Sequence, residues 1–449
     1  MPNCCTGSSS TGALTVLAAI GAQDAYLTIN PEITFFRCLY KRHTNYAWTE
    51  QDVQFCSAVG FDRCLVATYP RAGDLVSWTY FRVDLTALAL IESTQPPVNP
   101  ATDYVMWTNA VGNHLVKEVS LSIGNAEFDK LDSNILYLWE HYNHLPENHQ
   151  GEMIGEFDNV EDQRDFAADP HTLYIFLPFW YARHCCLSLP LIALQYHDVR
   201  VQITTRKRED LIVAFDANGN VIPLTSVSGG EMECASLLID YIYLDTQERR
   251  VMAQQPHEFL FSQWQIACPE CIVAGTTSKV IQLYLNHPIT DLITIFQYTG
   301  KKQGPNADPW NFGVARYAAF PWQAPNSPIP LVDPFESIEL KLNGHDYVAE
   351  REASYFRNVT AYQGALTNPQ NFLYLVKHAP ICVRMHEDEA PGGTFNASRI
   401  DNLVECLHFA KNPITGQSLV IADACIYNYA KNFNVMKVAG GMAAARFAN

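Results

Sequence analysis

The strongest constraint on the fold of this chain is a β-hairpin signal that occurs twice, about 220 residues apart. In the first occurrence, Val119, Leu121 and Ile123 alternate up to Gly124-Asn125, a two-residue turn with glycine first, as type II′ geometry requires. In the second, Ile338, Leu340 and Leu342 alternate up to Asn343-Gly344, the strongest short-range hairpin signal, and His345–Val348 returns. An aromatic-rich stretch follows each hairpin, Tyr137-Leu138-Trp139 in one half and Tyr355-Phe356 in the other. Side chains on a strand alternate between two faces, so such segments must bury one face in a sheet. Two halves carrying the same device suggest a duplicated β domain.

Other segments extend this reading. Between Trp78 and Leu88, Phe81, Val83, Leu85 and Ala87 share one face, while Tyr80, Arg82, Asp84 and Thr86 share the other. Further strands are expected at 173–179 and 193–203, then at 372–376, 403–409 and 432–438. Helices are few. Asp132 can cap one that carries Ile135, Leu136 and Trp139, and Glu248-Arg249-Arg250 sits in another. Leu14, Leu17, Ala18 and Gly21 have helical spacing and form an arm suited to docking on another surface. The Pro-rich stretches 95–100, 304–309 and 321–334 cannot be central strands and read as long loops. The turn-rich interval 206–234, with Asp216-Ala-Asn-Gly-Asn and Ser228-Gly-Gly, is the expected linker between the halves.

Composition agrees. Across 449 residues, 48% are hydrophobic, 12% aromatic and only 17% charged, which suits a large buried core rather than a disordered polymer. All-β domains often reach about 200 residues, so two of them account for the length. The low charged fraction also suggests that much of the surface is interface, where charged residues are depleted. A net charge of −17 argues against non-specific nucleic-acid binding, whose affinity comes from Lys and Arg meeting phosphates. The apolar run Ala13–Ala22 is too short to span a bilayer, no secretory pattern opens the chain, and the 13 cysteines lack scaffold spacing. Reduced thiols are therefore expected.

The catalytic inventory is empty. Cys268-Pro-Glu-Cys271 has the spacing of half a zinc knuckle but no second pair, so two small thiols at a strand end are the preferred reading. His141, His144 and His149 lack an H-E-x-x-H pattern and read as a helix end. Glu387-Asp388-Glu389 reads as a solvated loop tip and Gly440-Gly441-Met442 as a tail turn. No nucleophile elbow, Walker loop or dinucleotide fingerprint is present. No catalytic, cofactor-binding or metal residue is assigned, and no cofactor is expected. Asn358-Val-Thr360 and Asn396-Ala-Ser398 match the N-glycosylation pattern, which leaves Asn358 and Asn396 as the only candidate modification sites.

Several longer stretches carry a resemblance. Gly21–Phe36 followed by Tyr40-Lys-Arg-His-Thr-Asn-Tyr46 closely resembles the opening of the major capsid proteins of nucleocytoplasmic large DNA viruses. Leu177-Pro-Phe-Trp-Tyr181 leading to Leu189–Gln195 is similar to the family's first-domain closing motif. So are Asp245-Thr-Gln-Glu-Arg-Arg250 with Ala253-Gln254 and His257-Glu258, Asn286–Leu292, Phe395–Asn402 and Tyr429–Val435 to its later ones. The matches run in order from 21 to about 441 and so span nearly the whole chain. The chain departs from the family at Thr290, Asp291 and Ala397, the last lying within the Asn396 sequon.

The resemblance implies an all-β double jelly roll, two consecutive eight-stranded sandwiches with few short helices and long loops. The expected division is an arm at 1–25, a jelly roll at 26–208, a linker at 209–234, a second jelly roll at 235–441 and a tail at 442–449. It further implies a non-enzymatic subunit that forms a homotrimer, a pseudo-hexagonal capsomer tiling an icosahedral shell. Expected partners are neighbouring capsomers and minor capsid, cement and penton proteins, with inner-membrane contact through the arm. The expected location is the virion, after assembly in the host cytoplasm. Two alternatives stay open. One is a carbohydrate-binding or carbohydrate-active jelly roll using loop aromatics such as Trp310 and Trp322, and the other is a minor capsid component of the same fold.

Overall fold

The computed structural model describes residues 9–37, 40–94, 97–99, 103–143, 150–216, 220–302, 304, 307–315, 331–364, 371–378, 393–412 and 415–447. It falls into two units, Met1–Asn45 and Tyr46–Asn449. The smaller holds the helices α1 (Ser9–Ala18) and α2 (Ala22–Thr28). The Gly21 N–H donates to the Asp24 carboxylate at 3.0 Å, which closes the first turn of α2. Leu14, Leu17, Tyr26, Leu27, Phe35 and Phe36 are all exposed.

In the larger unit, two sandwiches share one topology. The first is built from β1 (Tyr46–Gln54), β2 (Cys64–Thr68), β3 (Leu75–Leu85), β4 (Val116–Ile123), β5 (Ala126–Asp132), β6 (His171–Phe176), β7 (Val199–Thr205) and β8 (Met232–Leu244). Its sheets run β1-β8-β3-β6 and β2-β7-β4-β5, antiparallel throughout. The second is built from β9 (His257–Ile266), β10 (Ser278–Leu283), β11 (Pro288–Tyr298), β12 (Phe335–Leu342), β13 (His345–Glu352), β14 (Leu373–Lys377), β15 (Leu403–Phe409) and β16 (Ala424–Ala439). Its sheets run β9-β16-β11-β14 and β10-β15-β12-β13. Numbered within each roll, both orders are 1-8-3-6 and 2-7-4-5, so the chain is a double jelly roll.

The hairpins that announce this fold are β4–β5 and β12–β13. Gly124 has φ 64° while Asn125 stays outside the left-handed region, as type II′ requires, and Asn343 and Gly344 both have positive φ (50° and 83°), as type I′ requires. On β3, Phe81, Val83 and Leu85 are buried while Tyr80, Arg82 and Asp84 are half-exposed. Ala87 lies beyond the end of that strand. The Asp132 carboxylate accepts the N–H of Ile135 at 2.9 Å and starts α3 (Ser133–Asn143). Glu248, Arg249 and Arg250 lie in α4 (Thr246–Gln254).

Three expectations need correction. Interval 209–234 is not a free linker: Ile212–Phe215 pairs with Tyr104–Trp107, Val227–Gly229 pairs with Leu88–Leu90, and β8 starts at Met232 in the centre of the first roll's sheet. Its turn residues join strands that cross back over the first roll, and α4 stands between the two rolls. The expected tail also forms a strand, Met442–Ala445, which folds onto β16 through the Gly440-Gly441 turn. Finally, the thiols are not all reduced, because Cys271 and Cys425 form a disulfide. They sit opposite each other where the short strand Glu270–Ile272 pairs with β16. A bridge of this kind closes 154 residues of sequence and leaves no local spacing signature.

Candidate assembly surfaces

The two rolls meet through unlike parts. The first offers its β5 edge and α3, and the second offers one face of its β9-β16-β11-β14 sheet. Phe128, the bulged residue of β5, is only 4% exposed, with its ring 6.0 Å from that of Phe261 on β9. The Asp129 carboxylate accepts the N–H of Trp264 at 3.2 Å. Asp132 does more than cap α3, because its second oxygen accepts the Tyr429 hydroxyl at 2.7 Å. Asn134 donates to the same hydroxyl at 2.9 Å. Tyr137 stacks on Trp310 at 4.2 Å, and the Trp310 indole N–H donates to the Asn109 carbonyl at 2.6 Å. Lys302 lies 3.8 Å over the Tyr427 ring, and burial pushes its ammonium down to about 8 against the pull of Asp132.

This contact leaves a clear mark on burial. β11 is buried at every position after Pro288, because the second sandwich covers one face of its sheet and the first roll covers the other. Among the described residues, the equivalent sheet of the first roll has no such cover. β1 reads almost wholly exposed, and Trp48 and Trp78 are 67% and 43% exposed. With Tyr46, Tyr80 and Ile242 they line a depression of about 440 Å³. Asp240 also lines it and lies opposite Glu50 in register, and burial together with the Glu50 charge raises the Asp240 carboxyl.

The second roll's own edge is bare as well. β13, the equivalent of β5, is exposed along nearly its whole length. It leads into a π turn, Tyr355–Val359, and then α5 (Thr360–Gly364), where α3 follows β5. Tyr347 occupies the same hairpin bulge as Phe128, yet is 45% exposed. Among the described residues the two rolls therefore show one buried joint and two surfaces, one on each roll, that lack the equivalent cover.

The comparisons with known proteins bear on what such surfaces are for. Residues 34–245 match the family described as major capsid protein N-terminus, and residues 248–444 match large eukaryotic DNA virus major capsid protein. The major capsid protein of Phaeocystis pouchetii virus is 30% identical over 98% of this chain and 100% of that protein. That of Paramecium bursaria Chlorella virus 1 is also 30% identical, with the same coverage. This chain belongs to the major capsid protein family of large eukaryotic DNA viruses. Its backbone superposes on the subunit of the quasi-atomic PBCV-1 virus capsid with a TM-score of 0.72 and 25% identity, over 93% of this chain and 100% of that one. The Faustovirus major capsid protein, at 11% identity and a TM-score of 0.71, shares the fold.

The capsid protein thus forms the shell of the virion, and its relatives are structural proteins. The residues singled out for other chemistry fit this. Trp310 is 9% exposed and spent on the inter-roll stack, so it offers no platform for a sugar, and Trp322 lies outside the described residues. His141 lies in the last turn of α3, 3.4 Å from Glu156, while His144, His149 and residues 387–389 lie outside the described residues. Cys268 is exposed, and Cys271 is taken by the disulfide, so the half-knuckle is not a pair of free thiols. His184, Cys185 and Cys186 bring their ligand atoms within 4.8 Å of one another, a cluster the sequence reading did not single out. Asn358 is exposed on the π turn. Asn396 is exposed and accepts the N–H of Ser398 at 3.1 Å.

Proposed function

We propose that three copies of the capsid protein close into a ring of six jelly rolls, and that this capsomer is the tile of the shell. One observation carries the reading: two rolls of the same strand order meet head to tail inside one chain. A head-to-tail contact that recurs with one sixth of a turn closes after six rolls, which is three chains. A trimer built this way has near six-fold edges and packs on a hexagonal lattice, although its symmetry is only three-fold. The subunit acts through association rather than catalysis. Neighbouring capsomers and minor capsid, cement and penton proteins meet its outer edges, and the exposed apolar side chains of the arm suit contact with an inner membrane or with those proteins.

Light scattering across the size-exclusion peak of the recombinant full-length protein tests this. The expected mass is that of three 50.5 kDa chains, about 152 kDa. A folded protein that stays at 50.5 kDa would sink the ring.

A further inference from the structure

We infer that His184, Cys185 and Cys186 form a binding site for one soft or borderline transition-metal cation of the zinc(II) class. The inference does not rest on the ring reading above, because all three donors belong to one loop of one chain.

The donor set comes first. Two cysteine sulfurs and an imidazole nitrogen are the ligands that zinc and its softer neighbours prefer, and that magnesium and calcium avoid. The three ligand atoms lie within 4.8 Å of one another, and no other group of three or more His, Cys, Asp or Glu side chains gathers so closely among the described residues. Around a tetrahedral zinc, with bonds of about 2.0–2.3 Å, neighbouring donors stand about 3.6 Å apart. Closing the cluster therefore takes about 1 Å of side-chain movement, within reach of exposed cysteines turning about their own bonds.

The backbone that carries the donors is already fixed. Cys185–Leu187 forms a 3-10 turn with His184 directly before it. The Leu187 N–H donates to the His184 carbonyl at 3.0 Å, and the Ser188 hydroxyl donates to the Cys185 carbonyl at 2.7 Å. Both flanks are anchored in the roll. Arg183 is buried, donates to the Pro178 carbonyl at 2.9 Å and lies over the Trp139 ring, while Leu187 is buried on the other side. Only the three donor side chains turn outward, so a cation binds here with little further ordering of the chain.

The imidazole is also held in the form a ligand needs. The Cys186 N–H donates to the His184 Nδ1 at 3.2 Å, which leaves the ring proton on Nε2 and an unprotonated nitrogen turned toward the cysteines. Binding exchanges this long hydrogen bond for a metal–nitrogen bond. Each thiol gives its proton to solvent as its sulfur joins the cation, and the fourth tetrahedral position stays open to water. Cys185 also lines the depression that holds Trp48 and Trp78, which places the cation at the rim of that face.

Cobalt(II) titration of the full-length protein, kept under nitrogen with its disulfide intact, tests the site. Cobalt–thiolate bonds give a near-ultraviolet charge-transfer band that oxygen and imidazole ligands alone do not. The expected result is that band, saturating at one equivalent per chain and lost when zinc is added. Cys185→Ser with Cys186→Ser should abolish it, while Cys268→Ser should leave it whole. Thermal unfolding checks that each variant folds. His184→Gln is a second, independent variant, expected to keep the charge-transfer band while weakening cobalt binding and shifting the visible bands. A band that survives in the folded double-serine variant, or a wild-type protein that shows none, would overturn the site. Unchanged affinity and visible bands in His184→Gln would overturn the three-donor set. One cation per chain is read alike at 50.5 kDa and at about 152 kDa, so failure of the ring and failure of the site are told apart.

Discussion

Glu405 is the residue at which the cost of a buried charge can be read most directly. It projects from β15 into the second sandwich, fully buried, and accepts the Thr294 hydroxyl at 2.6 Å and the Asn428 amide at 2.5 Å. Burial raises its carboxyl from 4.5 to about 6, and the two hydrogen bonds recover only part of the desolvation. The sign follows from linkage. Between the unfolded and folded values the native state holds the proton more tightly, so stability falls as pH rises from about 4.5 through about 6 and then levels off. The size of the fall is about 2 kcal/mol. Glu405→Gln keeps the shape without the charge. Denaturant unfolding from pH 4 to pH 8 should show wild type losing stability relative to the Gln variant over that window. Parallel curves would mean that the carboxyl ionises in the core at no cost. Asp132 shows how far a single residue was legible. Its capping role is local and follows from its place before Ile135, but its bond to Tyr429 spans almost 300 residues, and no local pattern encodes such a partner.

At the scale of elements, period and turn chemistry made the strands and hairpins readable, because both are set by neighbours in sequence. β11 gave no such signal, because Ile289–Tyr298 interleaves Thr290, Asp291, Thr294 and Gln297 with its apolar residues much as β3 does, although every one of these positions is buried. The sequence reading took Asn286–Leu292 only as a family motif, so the cover that the first roll provides went unseen. The interval 209–234 misled because its glycines and asparagines are genuine turns, but turns between strands of one roll rather than between two rolls. The disulfide is the other element-scale feature out of reach of spacing. It ties the short edge strand Glu270–Ile272 to β16 across 154 residues. Long loops lose much entropy when cross-linked, and a native bridge typically contributes about 2–4 kcal/mol. Guanidinium unfolding with and without reductant should differ by that order in wild type and not at all in Cys271→Ala with Cys425→Ala. An unfolding midpoint indifferent to reductant in wild type would show that the bridge adds nothing to the fold.

For the whole molecule, charge and apolar surface divide the work of assembly. The chain carries −17, so the proposed trimer would carry −51, and such like-charged capsomers would repel one another at long range. Within the proposed trimer, the exposed aromatic face of Trp48, Trp78 and Tyr80 offers apolar area whose burial does not weaken with salt. Contacts between trimers must form against the net repulsion, which is screened beyond about 10 Å at 0.1 M salt. The two levels should therefore respond differently to ionic strength. From about 0.05 to 0.5 M salt the trimer mass should stay constant, while association of trimers into sheets, followed by turbidity and negative-stain imaging, should rise. A trimer that falls apart at the high end would mean that ion pairs rather than buried apolar side chains hold it. That outcome would locate the joint on a charged surface instead. Constant trimer mass with salt-promoted lattices is what the duplicated fold requires, since a tile must hold its shape before its edges are allowed to meet.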